Sequence, residues 1–260
     1  MRVDLHNHTT LCNHANGTMR EYVEQAIEKK IDIFGFSEHA PMDFDPEYRM
    51  KFEDVKFYKD EFKKLKSEFK DDIELLLGYE VDFLRGKMSE DILKDKDVDY
   101  LIGSVHFIDE WGFDNPEFIG RYESEDIDEI WQNYFNAIEE MANSGYFDIV
   151  GHLDLIKVFK FLPKKDIKSI ALNALKAIKK NDLTLEINGA GYRKPVGEAY
   201  PSRELLELAY ELEIPITCSS DAHEIEQIAL FSDKTEALAK SVGYTQCATF
   251  RNRNRIMINF

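Results

Sequence analysis

The chain has 260 residues, 33 Lys and Arg against 50 Asp and Glu, and a formal net charge of −17. With 43% hydrophobic residues there is ample material for a buried core, which excludes global disorder. The acidic balance argues against broad binding to nucleic acid, which needs clustered Lys and Arg to displace counterions. No apolar run approaches the roughly 18 residues of a membrane span, and Met1-Arg2-Val3-Asp4-Leu5-His6 lacks the charged-then-apolar pattern of a signal peptide. Cys12, Cys218 and Cys247 are odd in number and far apart, which fits free thiols in a reducing cytosol. At about 100–200 residues per domain the length allows one large domain or two small ones. The expectation is a cytoplasmic, acidic, small-molecule enzyme with no membrane or nucleic-acid partner.

Short apolar runs alternate with longer amphipathic ones. Val3 to Leu5 reads as a first strand, and Thr18 to Lys30 as a helix with Thr18 as N-cap and Glu21 completing a capping box. Ile31 to Phe36 is a second strand. Glu53 to Phe69 is helical, with Phe57, Phe62, Leu65 and Phe69 on one stripe. Ile73 to Val81 and Tyr100 to Val105 are the third and fourth strands. Ile127 to Asn143 is a helix, Phe147 to Val150 a fifth strand and Ile167 to Lys180 the helix after it. Leu183 to Ile187, the helix Ser202 to Leu212, the strand Ile214 to Cys218 and the helix Asp233 to Val242 continue the alternation. Met257 to Ile258 reads as a closing strand. Seven strands alternating with helices imply a parallel sheet, either a closed barrel or an open doubly wound sheet. No linker, low-complexity tract or repeat marks a domain boundary.

The seven histidines, His6, His8, His14, His39, His106, His152 and His223, all fall at or just beyond the C-terminal ends of these strands. In α/β barrels those ends and their loops carry the chemistry, so the seven read as one site. A single histidine at a strand end is ordinarily structural or solvated. His6-Asn7-His8 is a stronger signal, because residues i and i+2 of a strand share a face and both imidazoles can reach one cation. Glu80 and Asp221 each end an apolar strand, and Ser219-Ser220-Asp221-Ala222-His223 places a carboxylate and an imidazole on one short loop. Glu38, beside His39, reads as a partner that orients a histidine. This many donors exceeds what one ion can hold, so two or three divalent ions with a bridging carboxylate are expected, of zinc, iron or manganese type. Several cations in such a cleft suit phosphate-ester hydrolysis, in which bound water is activated near neutral pH and the phosphoryl oxygens are neutralised. Local metal charge would let a protein of net charge −17 bind an anion.

His6-x-His8, His14, Ser37-Glu38-His39, Gly78-Tyr79-Glu80, Ser104-Val105-His106, Gly151-His152 and Ser220-Asp221-Ala222-His223 resemble, as an ordered set, the motif series of the PHP (polymerase and histidinol phosphatase) superfamily. Phe36 to Pro41, Gly103 to Phe107, Glu186 to Pro195 and Tyr200-Pro201-Ser202 are similar to the PHP-type histidinol-phosphate phosphatases of histidine biosynthesis. The resemblance implies a distorted (β/α)7 barrel, with residues 1–260 as a single PHP metallophosphoesterase domain. It implies three divalent metal ions: one on His6, His8, Glu80 and Asp221, a second on Glu80, His106 and His152, and a third on His14, His39 and His223. Glu80 would bridge the first two. It further implies that a metal-bridging hydroxide attacks phosphorus and releases L-histidinol and phosphate, with Glu80, Asp221 and His223 the catalytic set. Leu153 stands where the broader superfamily often has Pro.

Phosphate-binding cations are expected from strand-end loops, with Arg193 first, because a guanidinium fits two phosphate oxygens at once, and Lys157 second. Recognition of the amine and imidazole calls for an acceptor such as Glu198 or Asp43 and a ring such as Phe44 or Tyr192. The alternative is a PHP phosphoesterase acting on another small ester or on nucleic-acid phosphodiesters. A nuclease calls for a basic track, whereas the inserts Asp43 to Asp54 and Phe107 to Asp128 are acidic. A polymerase-associated module lacks any remaining chain to be the polymerase. A metal-binding regulatory module without turnover predicts closed coordination, and nine ligands for three ions leave open positions. An amidohydrolase would call for a bridging Lys at the fourth strand, where Ser104-Val105-His106 stands instead.

Overall fold

A computed structural model describes residues 1–260. The strands are β1 (Val3–Asp4), β2 (Ile33–His39), β3 (Glu74–Asp82), β4 (Tyr100–Ser104), β5 (Phe107–Ile108), β6 (Trp111–Gly112), β7 (Ile149–Val150), β8 (Thr184–Asn188), β9 (Ile216–Ser219), β10 (Gln246–Arg251) and β11 (Asn254–Asn259). The helices are α1 (Met19–Glu28), α2 (Val55–Glu68), α3 (Glu90–Leu93), α4 (Gly120–Ser124), α5 (Ile127–Asn143), α6 (Ile167–Lys180), α7 (Arg203–Glu211) and α8 (Ser232–Val242). Seven strands form one sheet in the order β1-β2-β3-β4-β7-β8-β9, every pairing parallel. Its two edges curl together: Asn7 bridges Ala222, and the His8 amide donates to the Ala222 carbonyl at 2.9 Å. The result is a nearly closed seven-stranded barrel, which decides against the open sheet that the same element order allows.

The helices form where amphipathic periodicity and caps coincide. Thr18 and Glu21 make the reciprocal capping box that starts α1. Asp126 and Asp166 cap α5 and α6, whose bounds match those expected. In α2 the buried stripe is Tyr58, Phe62 and Leu65, and Phe57 is 58% exposed. Phe62 and Leu65 keep their expected inward places and only Phe57 gives way, to Tyr58, which donates to the Gly78 carbonyl at 3.0 Å.

The barrel interior is sealed at its N-terminal end by an apolar floor. Val3, Leu5, Ile33, Leu76, Tyr100, Ile102 and Ile149 meet Cys247, Ala248 and Phe250 of β10 there. Met257 and Ile258 belong to β11, which pairs antiparallel with β10, and this hairpin stays outside the barrel sheet. It plugs the barrel and does not close it. The Tyr100 ring crosses the interior and donates to the Leu5 carbonyl at 2.6 Å. It fits because positions 35 and 78 are glycine; a Cβ on Gly78 would lie 2.6 Å from the ring.

Above this floor, strand alternation aims the next inward residues at the opposite mouth. Along β3, Leu76 in the floor is followed on the same face by Gly78, Glu80 and Asp82. The same parity takes β2 from Ile33 to His39, and carries Ile102 of β4 on to His106. On β8 it presents Glu186 and Asn188, both fully buried.

Candidate metal centre

All seven histidines converge on the C-terminal mouth of the barrel. His8 stacks on His39 and on His223 with ring centroids 4.1 Å apart, His14 lies 4.7 Å from His223, and His106 lies 4.8 Å from His152. Glu80 sits at the centre. Its Oε2 lies 2.9 Å from His39 Nδ1, 3.3 Å from His6 Nε2 and 3.6 Å from His8 Nε2, while Oε1 lies 2.9 Å from His152 Nε2 and 3.8 Å from His106 Nε2. Asp221 Oδ1 approaches His8 Nε2 at 3.4 Å and His6 Nε2 at 3.9 Å.

The donors form compact groups with ligand atoms within 4.8 Å of one another. His6, His8 and Glu80 are one, with Asp221 adjoining; Glu80, His106 and His152 are another. His39 and His223 group with His8, whereas His14 groups with His223 and Cys12. The third expected trio is thus less tightly drawn than the first two, with His8 standing nearer its centre than His14.

Partners behind the imidazoles set their direction. The His6 Nδ1–H donates to Glu186 at 2.7 Å, His14 Nδ1–H donates to the Cys12 carbonyl at 2.8 Å, and His106 Nδ1 is hydrogen-bonded to Asp82. Each bond turns Nε2 toward the cleft, as a cation ligand requires. Glu38 accepts from the backbone N–H and hydroxyl of Thr9 and from the His39 amide, behind His8. Asn188 donates to Glu186 at 3.0 Å and to Asp221 at 3.1 Å. Asp82 also receives Arg49 Nη1 at 2.9 Å. Glu186, Asp82 and Arg49 were not singled out from sequence. The signal for the first two lay in strand parity, since Asp82 and Glu80 share a face of β3.

His6 Nε2, both nitrogens of His8, His152 Nδ1 and Glu80 Oε2 are buried without a hydrogen-bond partner. Leaving such atoms unpaired costs about 1–3 kcal/mol each, and His6 Nε2, His8 Nε2 and Glu80 Oε2 face one another across distances a small cation would span. Burial raises the carboxyl of Glu80, but His6, His39, His106 and His152 hold it well below the usual carboxylate range. Burial opposes charge on His106, yet Asp82 and Glu80 raise its pKa to about 10, and Asp221, Glu38 and Glu80 raise that of His8 to about 9 against its own burial. Burial together with the neighbouring His8 lowers His39 to about 4. The same carboxylate field that draws protons to these imidazoles favours divalent cations, whose binding releases those protons. An all-nitrogen and oxygen donor set of this kind fits zinc or a harder first-row ion.

The mouth opens into a cleft of about 630 Å³. His14, His39, Glu80, His106, Asp221 and His223 line its floor, and residues of the two acidic inserts, among them Asp45, Tyr48, Phe107, Asp114 and Phe118, line its walls. Arg193 reaches the cleft while donating to the carbonyls of Ser220 at 2.9 Å and Asp221 at 2.8 Å. Lys157 and Glu198 are not brought there. The Lys157 ammonium is 1% exposed and pairs with Asp154 and Glu198 at 2.9 Å and the Ala199 carbonyl at 2.8 Å, which uses all three of its donors. Asp43, Phe44 and Tyr192 are also absent from the lining: Phe44 packs on Phe107 and Tyr192 on Phe231. No helix is long and apolar enough to cross a membrane, and the three cysteines are unpaired.

Residues 4–190 match the PHP domain family. The chain is 41% identical over 96% of both lengths to the "Probable histidinol-phosphatase" of Deinococcus radiodurans. It is 30% identical to the histidinol-phosphatase of Bacillus subtilis, over 85% of this chain and 93% of that one. Among solved structures, the histidinol phosphate phosphatase of Lactococcus lactis, complexed with zinc, L-histidinol and phosphate, superposes with a TM-score of 0.83 at 24% identity, covering 98% of each chain. The ordered histidine series, the barrel that gathers it and these relatives agree, and the chain belongs to the PHP domain family, among its histidinol-phosphatases.

Proposed function

We propose that this protein hydrolyses L-histidinol phosphate to L-histidinol and phosphate. The observation that carries this is the convergence of seven imidazoles with Glu80 and Asp221 beneath a cleft whose walls are acidic and aromatic. This reading takes three divalent ions. His6, His8, Glu80 and Asp221 would hold the first, Glu80, His106 and His152 the second, and His14, His39 and His223 the third. Such ions supply a water-derived nucleophile at neutral pH and neutralise charge on the phosphoryl oxygens.

The chain's own side chains orient the ester. Arg193 has five N–H donors and spends two on loop carbonyls, so the others can take phosphoryl oxygens at the cleft floor. The substrate also carries an ammonium and an imidazole. Asp114 lines the cleft, forms no ion pair, and is pushed up by burial; it is the acceptor the ammonium needs. Phe107 and Phe118 offer faces for the imidazole ring. Asp45, which lies 3.6 Å from Arg49, adds negative potential at the rim.

The test is phosphate release from L-histidinol phosphate beside a panel of other esters that includes bis(p-nitrophenyl) phosphate, with metal content measured on the same sample. Fast, selective release supports the reading; equal rates across the panel overturn the substrate while leaving the metal centre standing. Arg193→Ala should raise KM roughly tenfold or more, the worth of a charged hydrogen bond at about 1.5–3 kcal/mol. An unchanged kcat/KM would remove it from the site. Asp114→Asn should lower kcat/KM for L-histidinol phosphate about 10–100-fold on the same scale, and leave p-nitrophenyl phosphate, which has no amine, nearly unaffected. Equal losses on both esters would mean that Asp114 does not read the amine.

A further inference from the structure

The seam of the barrel is weakly built. Between β1 and β9 there is no strand ladder, only the bridge of Asn7 with Ala222. The loop that leaves β9 carries Asp221 and His223, and Asp221 sits in the left-handed region at φ +53, a conformation non-glycine residues adopt at a cost. Something must hold that loop in place.

Asp4 occupies the seam from the other side. It is 2% exposed and accepts four hydrogen bonds. Oδ1 receives the Ser220 amide at 2.9 Å and Asn7 Nδ2 at 3.2 Å; Oδ2 receives the Ser220 hydroxyl at 2.6 Å and the Ala229 amide at 3.0 Å. Ser220 immediately precedes Asp221, and Ala229 closes the segment beyond His223. One carboxylate therefore grips both ends of the loop that bears two of the proposed metal ligands. By accepting from Asn7 Nδ2 it is also tied to the segment beyond β1 that bears His6 and His8, and Ser220 Oγ lies 3.1 Å from Asn7 Oδ1.

We infer that Asp4 is a positioning residue that clamps the Asp221–His223 loop onto the His6–His8 segment and so sets the zinc affinity of the centre. The inference rests on the reading of Asp221 and His223 as metal ligands. Its lever is geometric: Asn at this position keeps the shape but turns one acceptor into a donor that faces two donors. Nothing on Asp4 reaches the cleft, so its effect must pass through the loop.

The experiment measures zinc affinity of the full chain by chelator competition, with the circular dichroism of the metal-free protein and steady-state kinetics alongside. For Asp4→Asn at least one zinc ion should bind about 10–100-fold more weakly, the range for supporting partners of metal ligands. Metal-free circular dichroism should match wild type, and kcat should fall with KM within about threefold and recover in excess zinc. Ser220→Ala keeps the backbone donor and loses only the hydroxyl, so its zinc affinity should fall in the same direction by a smaller factor of about 3–10. Zinc affinity within twofold of wild type in Asp4→Asn overturns the clamp, even if the variant melts lower. Should Asp4→Asn fail to fold, unchanged zinc affinity in Ser220→Ala overturns it. A wild-type protein that binds neither zinc nor manganese tightly overturns the metal centre and the clamp together, so the two failures are told apart.

Discussion

Replacing Glu80 with glutamine should lower kcat by about 10³-fold or more, equivalent to roughly 4 kcal/mol of transition-state stabilisation. Glu80 is the side chain common to both compact donor groups: one oxygen faces His152 and His106, the other His6, His8 and His39. Glutamine keeps the shape, but it removes the negative charge and puts an N–H₂ where a cation needs an oxygen. The charge matters because Glu80 is 2% exposed, so water screens it little. Zinc content per chain should fall in parallel, while circular dichroism stays that of the wild type. His152→Ala and Asp221→Ala act on one group each and should cost turnover by orders of magnitude as well. Activity of Glu80→Gln within tenfold of wild type at saturating zinc would show that the carboxylate does not join the two groups.

Stripping the metal should abolish phosphatase activity and lower the melting temperature. Ligands that bind only the folded chain stabilise it by RT ln(1 + [L]/Kd), about 2.7 kcal/mol per site at a hundredfold excess over Kd. In a domain of this size each kcal/mol moves Tm by about 2–4 °C, so one site at that excess is worth roughly 5–10 °C. The physical source is the set of buried, unpartnered and mutually facing atoms His6 Nε2, His8 Nε2 and Glu80 Oε2, which a cation satisfies and the metal-free protein does not. Calorimetry of chelated and zinc-reloaded samples checks this. A Tm that does not respond to zinc would mean that the imidazoles meet for some other purpose.

The two acidic inserts show how local sequence and three-dimensional placement divide the evidence. Asp43 to Asp54 and Phe107 to Asp128 are legible as acidic from sequence and count against a nuclease. Their role as cleft walls became visible only when the barrel brought Asp45 and Asp114 over the same floor. Lys157 illustrates the opposite case. Five residues past His152, it looked available for phosphate, yet the fold buries it against Asp154 and Glu198. Charge at a position is a property of sequence; whether that charge is free is settled by what packs beside it.

The sequence by itself determined the alternation of strands and helices, the bounds of α5 and α6, the capping box of α1 and the placement of the histidines at or beyond the C-terminal ends of strands. These follow from local rules, because helix caps, side-chain periodicity and strand termini each involve residues within a few positions of one another. Tertiary structure alone decided that the sheet curls until Asn7 meets Ala222, that β10 and β11 plug the barrel, and that Tyr58 rather than Phe57 faces the core. It also assigned Glu186, Asp82 and Asp4 to the imidazoles and the loop they support. Those pairings join residues as far apart as Asp4 and Ser220, and no local pattern carries information across such a separation; only the closing of the barrel brings the partners within hydrogen-bond reach.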